Sequence, residues 1–207
     1  MAEAVSFWNK VADHYSTMPI ADEESYQTKL NKTREYFTPD SNVLEFACGT
    51  GGTAVQHAPF VKHIHAIDIS ERMIGFCEQK KKEAGVNNVT FEAQTIENLS
   101  FESESFDVVM GMSILHLLED KDVVIQKVFE LLKPGGVFVS STICLGDSMP
   151  FFRFIAPIGK ALGKMPLVRS LRADAVQESF VAAGFKIEHR WHPGKKKAVF
   201  FVVRKPK

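Results

Sequence analysis

Val43-Leu44-Glu45-Phe46-Ala47-Cys48-Gly49-Thr50-Gly51-Gly52 passes from an apolar stretch directly into a glycine-rich turn. The stretch over 42–47 reads as a buried strand. The glycines let the backbone turn sharply and approach a ligand with no Cβ in the way. Outward from this point the same alternation recurs. Residues 63–69 (HIHAIDI) form a second predicted strand, and 70–85 a helix opened by Ser70 as N-cap and closed by Gly85. Strands follow over 88–93, 106–112 and 136–143, with a helix over 120–136 that stops at Pro134-Gly135-Gly136. Repeated alternation of this kind predicts a doubly wound α/β fold, its sheet mainly parallel and covered by helices on both faces.

The C-terminal part departs from that rhythm. A helix closed by Gly184 leads into strands over 186–192 and 197–205, joined by a short turn at Pro193-Gly194. Two strands so tightly linked must be antiparallel, because a parallel pair needs a crossover of about a dozen residues or more. The expectation is a seven-stranded sheet with an antiparallel C-terminal strand, in a single domain over 1–207.

Bulk composition narrows the function classes. The chain has 207 residues, 45% hydrophobic and 24% charged, which is ordinary for a globular protein. Lys+Arg and Asp+Glu both number 25, a balance that argues against a general nucleic-acid binder. Cys48, Cys77 and Cys144 are too scattered for a disulfide framework, and the histidines lack zinc spacing. His63 and His65 share a strand face, but nothing adjacent completes a metal site. The N-terminus lacks the blocks of a signal peptide, and no apolar run approaches the ~20 residues of a membrane span. The expected setting is cytoplasmic and reducing.

In an open parallel sheet, ligands bind beyond the carboxyl ends of the strands, where strand order reverses. The glycine loop and Asp68, at the end of the second strand, together make a nucleoside site, the carboxylate accepting from two ribose hydroxyls. Gly49-x-Gly51-x-x-Ala54 with Asp68 also satisfies the dinucleotide fingerprint. Glu45 tips the balance, because a carboxylate just before the loop repels a pyrophosphate and welcomes a cation. The chain also has no room for the separate substrate domain of most nicotinamide enzymes.

Taken in order, VLEFACGTGG, AIDIS, FDVV and LLKPGG resemble the class I S-adenosylmethionine-dependent methyltransferases, in particular the small-molecule group that includes quinone-biosynthesis enzymes. The likeness runs from about Val43 to Ile143, and the C-terminal hairpin fits as well. It implies S-adenosylmethionine as cofactor. Glu45, Ala47, Gly49 and Gly51 then surround the amino-acid part, and Asp68 holds the ribose. Ile69 and Met73 flank the adenine, with Thr95 and Ile96 along its edge and the Ile96 N–H facing a ring nitrogen. The family usually has an acidic residue where this chain has Thr95, so the Thr95 hydroxyl or Gln94 has to replace that contact. Met110, Gly111 and Met112 border the sulfonium end.

Catalytic candidates are fewer. Methyl transfer is an in-line displacement that depends mostly on proximity and orientation, and a base is needed only for a protonated nucleophile. His116, just past the fourth strand, is either that base or a substrate hydrogen-bond partner, or else only a tie for its own loop. The N-terminal 1–40 resembles a helical lid over the cofactor, with Tyr15 as the lid residue and Phe7 and Trp8 as packing anchors.

The insert 146–174 is the least family-like part. Phe151, Phe154 or Ile155, Ile158 and Leu162 recur at helical spacing, and Arg153, Lys160, Lys164, Arg169 and Arg172 make it basic. Pro157 and Pro166 prevent one long helix. It reads as a cap over an apolar acceptor, with membrane contact and plain packing as alternatives. The leading expectation is methyl transfer to a small, partly apolar acceptor. A lipid or quinone headgroup methyltransferase and a catalytically silent cofactor-binding regulator are the alternatives.

Overall fold

The computed structural model describes residues 2–149, 151, 152, 159, 165–194 and 197–207. Seven strands form one sheet: β1 (Asn42–Phe46), β2 (His63–Asp68), β3 (Val89–Ala93), β4 (Phe106–Met112), β5 (Leu132–Thr142), β6 (Lys186–Trp191) and β7 (Val199–Arg204). Their order across the sheet is β3-β2-β1-β4-β5-β7-β6. The pairs from β3 to β5 are parallel, and β7 runs antiparallel to both neighbours. The reversed strand is thus last in the chain but second from the edge. Strand order reverses between β1 and β4, and the expected ligand position is at that point.

Helices α1 (Ala2–Thr17), α2 (Glu23–Arg34), α3 (Gly52–His57) and α4 (Glu71–Glu83) precede β4. Helices α5 (Lys121–Leu131), α6 (Leu145–Ser148) and α7 (Ala173–Ala182) follow it, after a 3-10 turn at Leu115–Leu117. The caps are the ones the residue types prescribe. Ser70 Oγ accepts from Met73 N at 3.1 Å, and Asp120 accepts from Asp122 N and Val123 N.

Strand side chains alternate between two apolar layers. Leu44, Phe46, Val109 and Phe138 pack with Val124 and Val128 of α5 and Phe180 of α7. Val43, Met110, Val139 and Val202 pack on the other side with Ala54 of α3 and Cys77 of α4. Phe138 meets Phe180 edge-on at 5.6 Å, and Phe180 meets Phe201 at 5.4 Å. Such pairs add about 0.5–1.5 kcal/mol each beyond area burial.

One expected boundary moves. The helix predicted over 120–136 ends at Leu131, and Leu132 already pairs with Phe106 in the sheet. Between the Phe106–Leu132 and Val108–Val137 pairs, β5 carries a bulge that holds Pro134-Gly135-Gly136. Lys133 closes it from outside, its Nζ at 2.8 Å and 2.9 Å from the two carboxylate oxygens of Asp107.

Candidate functional site

At the carboxyl ends of β1, β2 and β4 lies a cavity of about 1130 Å³. Its floor is set by the turn after β1. Cys48 N–H donates to Ile67 O at 3.0 Å, tying that turn to β2, and Gly51 N–H donates to Cys48 O at 3.0 Å. Gly51 has φ +76°, and a Cβ there would stand 2.9 Å from Cys77 Sγ, so both conformation and space require glycine. Ala47 takes φ +54° and Ser113, just past β4, takes φ +58°. Two non-glycine residues in the left-handed region at one cavity mark stored strain, of the kind found at ligand sites.

Asp68 ends β2 with its carboxylate in use. Oδ2 accepts from Gly49 N–H at 2.9 Å and Oδ1 from Ser70 N–H at 3.0 Å, so it fastens the glycine turn to the start of α4. Each oxygen keeps a second lone pair for a ligand hydroxyl. Burial raises its pKa above the ordinary carboxylate value, against the pull of the backbone N–H groups. Glu45 is 2% exposed, and its Oε2 has no partner among the described residues. Burial first and the charge of Asp68 second push its pKa up to about 8. A buried carboxyl with an orphaned oxygen, near a second carboxylate, fits a cation and disfavours a pyrophosphate.

Of the residues expected at the site, Tyr15, Ala47, Gly49, Asp68 and Ile69 line the cavity, as do Met73, Thr95, Ile96 and Met112. Glu45 and Gly51 stand behind this wall, and His116 does not reach it. Thr95 Oγ1 accepts from Asn98 N–H at 3.1 Å, and Gln94 Oε1 accepts from Thr95 N–H at 3.0 Å, so both polar candidates for the adenine edge are partly engaged. His116 is 6% exposed, with Nδ1 3.1 Å from Thr142 Oγ1 on β5. Burial pushes its pKa down to about 4, so the ring is neutral at physiological pH. Its position is that of a tie between the loop after β4 and the sheet.

Helix α1 covers one side of the cavity. Asn9 Oδ1 accepts from Ser70 Oγ at 2.6 Å and from Arg72 N–H at 3.3 Å, and Asp13 pairs with the Arg72 guanidinium at 2.6–2.9 Å. This latch lies beside Asp68 in sequence. Tyr15 overlies Gly49, with Cε1 3.6 Å from where a Cβ would be. Burial, and then the Asp68 charge, raise the Tyr15 pKa. Phe7 and Trp8, expected as packing anchors, also line the cavity.

Sequence reasoning missed the apolar end of the cavity, formed by Ile114, Leu117 and Leu118 of the loop after β4 and by Met165-Pro166-Leu167 of the insert. The only local signal for the second group was Pro166, read as a helix breaker. Of the expected cap residues, Phe151 is 56% exposed and does not line the cavity; Phe154, Ile155, Ile158 and Leu162 lie outside the described residues. His63 and His65 are engaged by Thr90 and Glu92, each at 3.1 Å.

A family model described as "Methyltransferase domain" matches residues 37–188, about three quarters of the chain. The chain belongs to the methyltransferase-domain family. Demethylmenaquinone methyltransferase of Geobacillus kaustophilus is 31% identical, with 86% of each chain covered. The uncharacterized methyltransferase YcgJ of Bacillus subtilis is 30% identical over 132 residues, which cover 64% of this chain. The matched part spans about half, 52%, of YcgJ. The crystal structure of YcgJ superposes with a TM-score of 0.72 at 18% identity, covering 87% of this chain and 99% of that one, a likeness of fold. The methyltransferase is thus of the S-adenosylmethionine-dependent, Rossmann-like class, and its sheet with the reversed β7 is that class's sheet. No helix of the methyltransferase, among the described residues, is long and apolar enough to cross a membrane.

Proposed function

We propose that this methyltransferase moves a methyl group from S-adenosylmethionine to a small, partly apolar acceptor. The observation that carries the reading is Glu45, buried with an unpartnered Oε2 behind the glycine turn and close enough to Asp68 to feel its charge. Asp68 at the wall, with Glu45 behind it able to give up its proton when a cation binds, suits a ligand with a positive end and a ribose, and S-adenosylmethionine has both. Ala47 and Gly49 would hold its amino-acid part, Asp68 its ribose, and Ile69, Met73 and Ile96 its base, with Thr95 and Gln94 at the base edge. When bound, the sulfonium supplies an electrophilic methyl carbon with a neutral thioether as leaving group.

The protein's own part is orientation. Met112 ends β4 beside Ser113, and both line the cavity. Tyr15 and α1 exclude water from above. His116 acts by fixing the loop that carries Ile114 and Leu117, since its ring nitrogen is taken by Thr142 and its pKa is low. The N-terminal 1–40 serves as the lid, and three buried free thiols suit a reducing, cytoplasmic setting.

A second reading, a quinone headgroup as acceptor, is favoured by the apolar wall of the cavity and by the name of the Geobacillus kaustophilus relative. Calorimetry with S-adenosylmethionine, S-adenosylhomocysteine and NAD tests the donor. Tight NAD binding without adenosylmethionine binding would overturn it. An acceptor screen that follows formation of S-adenosylhomocysteine separates turnover from silent binding.

A further inference from the structure

We propose that Cys48 and Cys77 form an oxidation site, which hydrogen peroxide closes as a disulfide at the glycine turn, weakening the hold on the methyl donor. The effect on the donor rests on the reading of the glycine-turn end as its site. The bond itself does not.

Cys48 lies within the turn after β1, and Cys77 comes to it from α4. Their Sγ atoms are 4.0 Å apart, where a disulfide needs about 2.05 Å, so closure asks for a shift of roughly 2 Å. Gly51 makes the room for Cys77, since a Cβ there would stand 2.9 Å from its Sγ. Cys77 Sγ donates to Gly49 O at 3.1 Å, and Gly49 N–H donates to Asp68 Oδ2 at 2.9 Å. Gly49 is thus held from one side by a thiol and from the other by the carboxylate at the cavity wall. Cys144, past β5, donates instead to Thr142 O at 3.8 Å.

Cys48 is 8% exposed and Cys77 0%, so an oxidant reaches Cys48 first. Its thiolate sulfur attacks one peroxide oxygen, the O–O bond breaks, and the departing oxygen takes up a proton and leaves as water. That step leaves a sulfenic acid. The Cys77 sulfur then attacks the sulfenic sulfur; the S–S bond forms, the S–O bond breaks, and a second water leaves. Two thiols and one hydrogen peroxide become one disulfide and two waters, with two electrons passing from sulfur to oxygen. The neighbouring thiol and then burial hold the Cys48 pKa well above the ordinary thiol value. Little thiolate is present at rest, and the pair stays reduced until peroxide is abundant. Closure removes the proton that Cys77 gives to Gly49 O and draws both sulfurs from their present places. A ligand that needs the reduced turn opposes closure by mass action.

The test treats the full chain with hydrogen peroxide, with and without saturating S-adenosylhomocysteine. Cross-links are read by peptide mass spectrometry and affinity by calorimetry. Expected is a Cys48–Cys77 cross-link within one chain, with free thiols falling from three to one. S-adenosylhomocysteine binding should weaken about fivefold or more, in line with the loss of one hydrogen bond in the turn. Dithiothreitol should restore it, which sets the effect apart from oxidation of Met73 or Met112. Saturating ligand should slow the cross-linking. Cys144→Ser should respond as wild type does. Cys77→Ser, whatever its starting affinity, should lose none on peroxide treatment, and Cys48→Ala gives the same readout if Cys77→Ser does not fold. Sulfinic acid at Cys48 without a cross-link, or a cross-link between two chains, overturns the site. Full affinity in the cross-linked chain overturns the effect on the donor. If the reduced chain binds no S-adenosylhomocysteine, the donor-site reading fails and the effect on the donor falls with it, while the peptide masses still decide the disulfide.

Discussion

Asp68 and Glu45 lie on neighbouring strands, and folding keeps both carboxyls out of water, where ionisation is costly. Asp68 spends that burial on two backbone N–H groups, so its removal should loosen the glycine turn as well as the ribose contact. Asp68→Ala should weaken S-adenosylhomocysteine binding by roughly 2–4 kcal/mol, taking ~1.5–3 for each charged hydrogen bond as not fully additive. An unchanged dissociation constant by calorimetry would show that the carboxylate does not face the ligand. Glu45 makes a pH-dependent contribution. Its ordinary value of 4.5 rises to about 8 in the fold, so the folded chain holds a proton that the unfolded chain releases. Stability from this group is fully present below pH 4.5 and is lost as pH rises through about 8. The melting temperature of Glu45→Gln relative to wild type should therefore climb between pH 5 and pH 8. Binding of S-adenosylmethionine near pH 7 should release a proton, visible as a binding heat that depends on the buffer's ionisation enthalpy. Asp68 was legible from sequence because a carboxylate at a strand end beside a glycine turn has few other uses. That the Glu45 oxygen would lack a partner was not legible, since it depends on what α2 and α3 leave uncovered.

Helix α1 has only Ala12 buried among its sixteen residues, so packing alone holds it weakly. Its attachment to α4 rests on Asn9 and Asp13 against Ser70 and Arg72. The Asp13–Arg72 pair is exposed, and pairs of that kind contribute about 0.2–1 kcal/mol. A latch of that strength suits an element that must open for ligand entry. Arg72→Ala should speed both association and dissociation of S-adenosylhomocysteine two- to fivefold or so, with little change in affinity, measured by stopped-flow fluorescence of Trp8. Unaltered rates would mean that α1 does not gate the cavity. Element types were legible wherever apolar period and caps agreed, as in β1, β4 and α4. They were not at Leu131–Leu132, where helical spacing of apolar residues continues into a strand whose bulge only Asp107 and Lys133 reveal. The segment Met165–Leu167 was illegible for a different reason. Arg169, two residues on, is hydrogen-bonded to His116 and Glu119, some fifty residues earlier, and no local pattern encodes a partner at that distance.

Across the whole molecule, two histidines are buried in the fold. His57 is 0% exposed with its pKa pushed down to about 3, by burial and then by Arg34, and His116 is held at about 4. Both take a proton near pH 6.5 once unfolded, so their contribution is present above that pH and is lost as pH falls toward the folded values. Glu45 opposes this loss down to pH 4.5 and no further. From these three groups the acid limb should run with a slope of roughly 1.4 kcal/mol per pH unit, one net proton: two histidines less Glu45 above about pH 4.5, and His57 nearly alone between about pH 4 and 3. His57→Leu should remove most of the slope between about pH 4 and 3 in urea titrations at stepped pH, and an unchanged slope would show that His57 can be protonated in place. The topology carries a last consequence. Strand β7 separates β5 from β6, yet β6 is translated first and meets no partner until β7 is made. On the ribosome, then, the edge of β5 from Val137 to Thr142 stays unpaired until the closing strand emerges, and the sheet is completed after synthesis of β7 rather than progressively during it.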